Sequence, residues 1–305
     1  MQVDLDQLRA LATAVAEGSF DGAAQQLHVT PSAISQRIKA LETSVGRVLL
    51  VRSRPVRATA SGHTLLRAAR QIEAVTAEAA RELGAQGEDR LPAIALAVNA
   101  DSLGTWFLSA LAAVDPPLAF DLRRADETRT AELLRDGSVI AAVTASAEPV
   151  PGCLVKPLGR MRYRPRASPA FAARWFPGGV TAAALARAPV IVFDRTDQLQ
   201  SRYLQRRSRR RLEPPRHYVP GSSSFTEAVR LGLGWGLVPD LQADGAPALV
   251  DLDPRGAIDV HLFWQQWRLR SDALERVAAA VSAQAKIALH PPSKRQTGVP
   301  RAARD

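Results

Sequence analysis

Residues 19–46, SFDGAAQQLHVTPSAISQRIKALETSVG, read as two short helices joined by a tight turn. Thr30 is a good N-cap and Pro31 falls at the first helical position, where its missing N–H has no partner to lose, so the second helix starts at a defined residue. Ile34, Ile38, Leu41 and Val45 then recur at the 3.6-residue period and must face inward, which turns Ser32, Ser35, Gln36 and Lys39 outward. Phe20, Ala23, Ala24 and Leu27 form the apolar side of the first helix, and the small Ala24 permits the close crossing of a helix-turn-helix. The outward face is short and polar at its N-terminal end, with cations further along. Ser and Gln can share hydrogen bonds with base edges in a major groove while Lys and Arg meet phosphates. The stretch is expected to read DNA; an ordinary helical hairpin is the alternative.

Charge supports this locally and not globally. The 305-residue chain carries +10, but residues 1–90 hold eleven Lys/Arg against ten Asp/Glu. Between residues 30 and 70, however, Arg37, Lys39, Arg47, Arg52, Arg54, Arg57, Arg67 and Arg70 face Glu42 alone, a local +7. A second run, Arg206 to Arg211, reads as a solvated loop or helix face. With 46% hydrophobic and 23% charged residues the chain can bury sizeable cores, which implies two or three domains. The lone Cys153 excludes a disulfide within the chain and reads as a quiet structural thiol. The N-terminal stretch lacks a signal-peptide pattern and no apolar run reaches membrane-spanning length, so a cytoplasmic protein without membrane contact is expected.

Working outward, Leu5, Leu8, Leu11, Ala12 and Val15 predict an amphipathic helix stopped by Gly18. Residues 48–62, VLLVRSRPVRATASG, predict a two-stranded wing broken at Ser53, Arg54 and Pro55. Arg54 at its tip could enter a minor groove while Arg52 and Arg57 meet phosphates. From Gly62 to Leu83 one long helix follows, with Leu65, Ala69, Ile72, Thr76, Ala79 and Leu83 forming a seam for a second copy of the chain. Residues 84–89, GAQGED, read as a flexible linker.

Beyond the linker the grammar is βαβαβ, with strands at 94–99, 118–123 and 139–144 and helices from Leu103 and over 128–135. Further strands are expected at 190–194, 235–238 and 261–267, then a helix from Asp272 to about Ala288 and a disordered tail. In an open α/β lobe ligands bind beyond the carboxyl ends of strands, where helix starts present free N–H groups. Ser102 and one of Ser222, Ser223 and Ser224 suit an α-carboxylate, while Asp101, Asp126, Glu127 and Asp194 suit a cationic side chain and an α-ammonium. Asp101 and Glu127 could instead merely cap their own helices. Thr144 sits at a third strand mouth. Trp106, Trp264 and Trp267 read as core, with ligand stacking as the alternative. Nothing supports catalysis, a metal site or a cofactor: there is no G-x-S-x-G, H-E-x-x-H or Cys/His cluster, and Gly232, Gly234 and Gly236 lack the spacing of a dinucleotide loop.

The motif AAQQLHVTPSAISQRIKALE at 23–42 closely resembles the signature of LysR-type transcriptional regulators. That resemblance implies a winged helix-turn-helix joined by a linker helix to a two-lobed, periplasmic-binding-protein-like α/β effector domain with Rossmann-like lobes, acting on promoter DNA and RNA polymerase as a homodimer or homotetramer. It makes Pro31, Ser32 and Ser35 base contacts, Gln36, Arg37 and Lys39 base or phosphate contacts, and Arg54 with Pro55 the wing tip. The domains would be 1–61, the linker helix and hinge 62–89, lobe I at 90–165 and 268–290, lobe II at 166–267, and a tail at 291–305. The stretches NADSLGTWFLSAL (99–111), ADETRTAELLRDG (125–137), PVPGCLVKPLG (149–159), SPAFAARWFP (168–177), VIVFDR (190–195) and FWQQW (263–267) are similar to the ArgP/LysG subgroup, which senses basic amino acids and controls lysine or arginine export. A DNA binder without ligand control and an amino-acid-binding transport component are the alternative functions.

Overall fold

The computed structural model describes residues 4–51, 53–82, 93–125, 127–244, 248–269 and 271–292. The expected 84–89 linker, the tail from residue 293, Arg52 and Asp126 lie outside the described residues. The N-terminal unit contains α1 (Leu5–Ala16), α2 (Phe20–Gln26), α3 (Pro31–Val45), β1 (Leu50–Val51), β2 (Arg57–Ala58) and α4 (Ala60–Glu82). The first three helices each start on a side-chain cap, from Asp4, Ser19 and Thr30, so local chemistry fixes their boundaries. Gly18, at φ +66°, ends α1, and its carbonyl accepts from the Val56 N–H at 2.8 Å, which ties the wing to the turn before α2. β1 and β2 pair antiparallel with Leu50 opposite Ala58, the expected wing.

The long helix departs from expectation in one respect. Leu65, Leu66 and Ala69 are buried in the same core as Leu8, Leu11, Ile34 and Ile38, so the first half of α4 packs on α1 rather than on a partner. In its second half Ile72, Glu73, Val75, Thr76 and Ala79 are exposed.

The second unit opens with β3 (Ala93–Val98), a helical run of α5 (Ala100–Ser102), a π-helical turn (Leu103–Phe107) and α6 (Leu108–Ala112), then β4 (Ala119–Arg124), α7 (Glu127–Arg135) and β5 (Ala141–Thr144). β3 pairs parallel with both β4 and β5, so their carboxyl ends share one mouth. Next comes β6 (Cys153–Ala167), a 15-residue strand that was not expected. The far lobe comprises α8 (Pro169–Trp175), α9 (Ala182–Arg187), β7 (Val190–Val192), α10 (Leu199–Arg207), β8 (Arg216–Tyr218), α11 (Ser222–Arg230), β9 (Gly236–Pro239) and β10 (Val250–Asp251). The chain returns along β11 (Ile258–Trp267) and ends its described part with α12 (Asp272–Ala288).

β6 and β11 pair antiparallel along ten residues, and the sheet order is β10-β6-β11-β5-β3-β4, with β9 also on β6. The first lobe hangs from one end of this strand pair and the second lobe from the other. A single large core runs through both, centred on Leu96, Phe107, Trp264, Tyr203 and Trp235. Trp264 and Trp267 are fully buried, in keeping with their core reading. Cys153 is also buried, and desolvation pushes its thiol up to about 11, so it stays protonated and unreactive.

Candidate functional site

Two surfaces carry the candidate residues. On the first, α3 buries Ile34, Ile38 and Leu41 and exposes Pro31, Ser32, Gln36 and Lys39, with Ser35 half-exposed beside them. Thr30 caps the start of this face by accepting from Ala33 N–H at 3.2 Å and bonds Ser32 through their hydroxyls at 2.9 Å. Arg37 lies lower, 3.4 Å from Asp6 of α1. The wing is held against α3 by Glu42, whose Oε1 accepts from Leu49 N–H at 2.8 Å, and Arg54, Pro55 and Arg57 are exposed on it. The face therefore presents hydroxyls and an amide flanked by Lys39 and the wing cations, a set suited to base edges and phosphates. Arg67 and Arg70, counted above in the local +7, turn the other way: Arg67 donates to the Pro151 carbonyl at 2.6 Å and Arg70 to Ser138 Oγ at 2.9 Å.

The second surface lies between the lobes. Asp101, at the mouth of β3, accepts from Tyr163 of β6 at 2.7 Å and from Ser222 of α11 at 2.5 Å, so its carboxylate joins the lobes. Gln242 donates to Ser222 Oγ at 2.7 Å and accepts from Thr226 at 2.7 Å, extending the bridge into the far lobe. Burial, with Asp101 second, drives the Tyr163 phenol well above its ordinary value, which keeps it a donor.

The other predicted residues fall around this bridge unevenly. Ser102 is fully buried, and its Oγ, together with Asn99 Oδ1 and Trp106 Nε1, has no hydrogen-bond partner among the described residues. Trp106 sits in the core, edge-on to Phe107. Thr144 is buried and accepts from Ser146 N–H at 3.1 Å. Asp194 accepts from Thr196 N–H and Oγ and from Asp197 N–H, and the Thr196 hydroxyl bond holds its carboxyl below the usual range. Ser223 and Ser224 are exposed on the first turn of α11, while Ser222 makes the interlobe bond. Glu127 begins α7.

Three participants were not singled out from sequence. Tyr163 and Gln242 lie in segments that carried no motif, and Asp197 stands three residues from the Asp194 that was chosen. Asp197 accepts from Phe193 and Leu199 N–H, and burial, with Asp194 and Asp101 adding to it, raises its pKa. No ion pair joins Asp101, Asp194 or Asp197 to a Lys, Arg or His among the described residues. The mouth is therefore acidic and uncompensated, which suits a cation.

Comparison with known proteins covers both halves of the chain. Residues 5–63 match the family model described as bacterial regulatory helix-turn-helix protein, lysR family, and residues 94–286 match the LysR substrate binding domain. The transcriptional regulator LysG of Mycobacterium tuberculosis is 46% identical over 288 residues, covering 93% of this chain and 94% of its own. A crystal structure of ArgP from Mycobacterium tuberculosis superposes with a TM-score of 0.88 at 44% identity over 96% of this chain and all of its own. Full-length LysG of Corynebacterium glutamicum with bound effector Arg gives 0.79 at 39% identity over 95% of this chain and 100% of its own. A second full-length structure of that protein gives 0.59 at 38% identity over the same shares. With both halves matched in their expected order, the chain belongs to the LysR family of DNA-binding transcriptional regulators.

Proposed function

We propose that the chain senses a basic amino acid, Lys or Arg, in its interlobe cleft and so regulates a gene of amino-acid export or metabolism. The acidic mouth carries this reading: Asp101, Asp194 and Asp197 converge there, and none of the three is ion-paired to a Lys, Arg or His among the described residues. Asp126 and Glu127 would add to the same charge. The unpaired Ser102 Oγ at the start of the helical run, with Ser223 and Ser224 across the cleft, suits the α-carboxylate. The relative with bound Arg supports the ligand class.

The DNA half would act through Pro31, Ser32, Ser35, Gln36, Arg37 and Lys39 of α3 and through Arg52, Arg54 and Pro55 of the wing. Exposed Leu5, Ile72 and Val75 support pairing of two copies through α1 and the second half of α4, with a homotetramer contacting RNA polymerase as the working assembly. The domain limits stated from sequence stand as part of this proposal, except that residues 263–267 of β11 pair and pack with β5 and α7 and so belong to the first lobe. Isothermal titration of the full chain tests the effector. Heat with Lys or Arg and none with Gln or norleucine is expected; equal response to all four, or to none, overturns the proposal.

A further inference from the structure

The residues that fasten α4 to the effector half form a small, built contact at the far end of the first lobe from the cleft. Arg67 Nη1 donates to the Pro151 carbonyl at 2.6 Å, and Arg70 Nη1 donates to Ser138 Oγ at 2.9 Å and to the Asp136 carbonyl at 3.3 Å. The Asp136 carboxylate lies 3.9 Å from the same Arg70 nitrogen, with both side chains about four-fifths buried. Between these anchors Gly137, at φ +74°, brings its backbone so near that a Cβ would stand 3.2 Å from Arg67 Cα and 2.9 Å from the Trp267 ring. The helix thus rests on a turn whose floor is Trp267, itself fixed by donating to the Leu134 carbonyl at 3.2 Å.

Two continuous pieces of chain lead from this contact to the ligand mouth. The loop 145–152 starts at Thr144, the mouth end of β5, and ends beside Pro151, which accepts from Arg67. β11 runs alongside, with Trp267 under the contact and Gln265 two residues nearer the mouth. Gln265 is buried; its Oε1 accepts from Val150 N–H at 3.0 Å, and its Nε2 donates to the carbonyls of Ser146 and Glu148 at 3.2 and 2.9 Å. Strand and loop are clasped together over the length of β5, roughly 13 Å at about 3.3 Å per residue. A shift of the loop at Thr144 therefore reaches Pro151 with little slack, because the only free-running part of the path is pinned at three backbone groups.

The contact is also of a strength that can be released. It is made by two guanidinium groups on carbonyls, a hydroxyl and one carboxylate. The two full-length structures of the C. glutamicum relative fit this chain at TM-scores of 0.79 and 0.59 over the same 95% of its length, so the two differ from each other in shape.

We infer that the seating of Arg67 and Arg70 on the Asp136–Ser138 turn and Pro151 is a releasable latch that couples the interlobe cleft to the placement of the DNA-reading helices. Arg67, Arg70 and Gln265 are positioning residues in this scheme and touch neither ligand nor DNA. The inference rests on the cleft being the effector site, and the test separates the two. In the double variant Arg67→Ala/Arg70→Ala of the full chain, amide exchange of residues 136–140 and 151–153 should quicken without any amino acid present. Affinity for Lys or Arg, measured by titration, should stay within about two-fold of the parent. The change in operator affinity that the amino acid causes in the parent should shrink about five-fold or more, at the low end of ordinary allosteric coupling. The milder Ser138→Ala should move exchange and coupling in the same direction, which guards against a folding defect in the double variant. Unchanged exchange at the 136–138 turn, or full coupling in the double variant, overturns the latch. A parent that binds neither amino acid defeats the effector proposal alone, and exchange then decides the latch.

Discussion

Asp101 is the residue on which the interlobe site turns, because one carboxylate meets a hydroxyl from each side of the cleft. A cationic ligand entering there finds an anion already oriented by two neutral donors. Replacing it by Asn keeps the shape and removes the charge, so Asp101→Asn should lower Lys or Arg affinity by at least about ten-fold, in line with the cost of deleting one partner of a desolvated charge pair. Asp197 should set the acid limb of the same binding. Burial raises its pKa above the ordinary 3.8, so it takes up a proton at higher pH than a free carboxylate would. Affinity for the cationic amino acid is then full above that raised value and falls as pH drops through it. Titrations from pH 8 to 4 should show this fall, and Asp197→Asn should bind more weakly with a flatter profile. A profile as steep in the variant as in the parent would assign the acid limb elsewhere. For stability the sign is opposite: ionised Asp197 carries a burial cost above its raised pKa, and protonation relieves it.

At the scale of elements, α3 was legible because everything that defines it is local. Thr30, Pro31 and the Ile34–Ile38–Leu41 spacing lie within a dozen residues, and the structure places each cap and buried face where those residues require. Its two flanks yield separable predictions. Arg54→Ala should weaken binding to all DNA and lower the salt slope by roughly 0.9, one phosphate contact, while Ser35→Ala should cost on the order of 1 kcal/mol at the operator alone. Fluorescence anisotropy against operator and random duplexes at several salt concentrations distinguishes them. Glu42 does structural work for the same element, since it satisfies the Leu49 N–H at the foot of the wing. Glu42→Ala should lower stability by about 1–3 kcal/mol in chemical denaturation, and Glu42→Gln by less, because its amide oxygen still accepts. The effector elements were legible only in part, for a physical reason. Strand mouths announce themselves by the hydroxyls and acids that follow apolar runs, which located Asp101 and Ser102. Which of Ser222, Ser223 and Ser224 turns inward depends on the helix's rotation against the other lobe, and no local signal reports that. Arg67 and Arg70 misled the charge count for the same reason: their partners, Pro151 and Ser138, stand 84 and 68 residues away.

For the whole molecule the least legible feature is the strand that holds the lobes together. GRMRYRPRA, residues 159–167, reads as a charge run, yet Arg160, Arg162, Arg164 and Arg166 alternate along β6 and each finds an acid from another element. Arg162 binds Asp259 of β11 through two bonds, of 2.8 and 3.0 Å, and Arg160 binds the same carboxylate. Arg166 joins Asp240, after β9, at 2.8 Å and Asp251 of β10 at 2.7 Å, while Arg164 lies 3.1 Å from Asp240. Four cations on one strand face are thus lashed to three acids that follow 74 to 99 residues later, which no periodicity could have paired. Two lobes hung on one strand pair need that pair to stay in register, and this ladder fastens β6 to β11, to β10 and to the end of β9. The acid response of the fold should therefore report on it. The hydrogen bond from Arg162 holds Asp259 below the ordinary 3.8, so its contribution to stability is complete above that pH and is lost as acid titrates it through the lower folded value. Asp259→Asn should lower stability near neutral pH by leaving Arg160 and Arg162 without their anion. It should also flatten the loss of stability between pH 4 and 2, so that the parent and variant denaturation midpoints converge at the acid end. Midpoints that run parallel down to pH 2 would show that the ladder does not hold the lobes through the charge of Asp259.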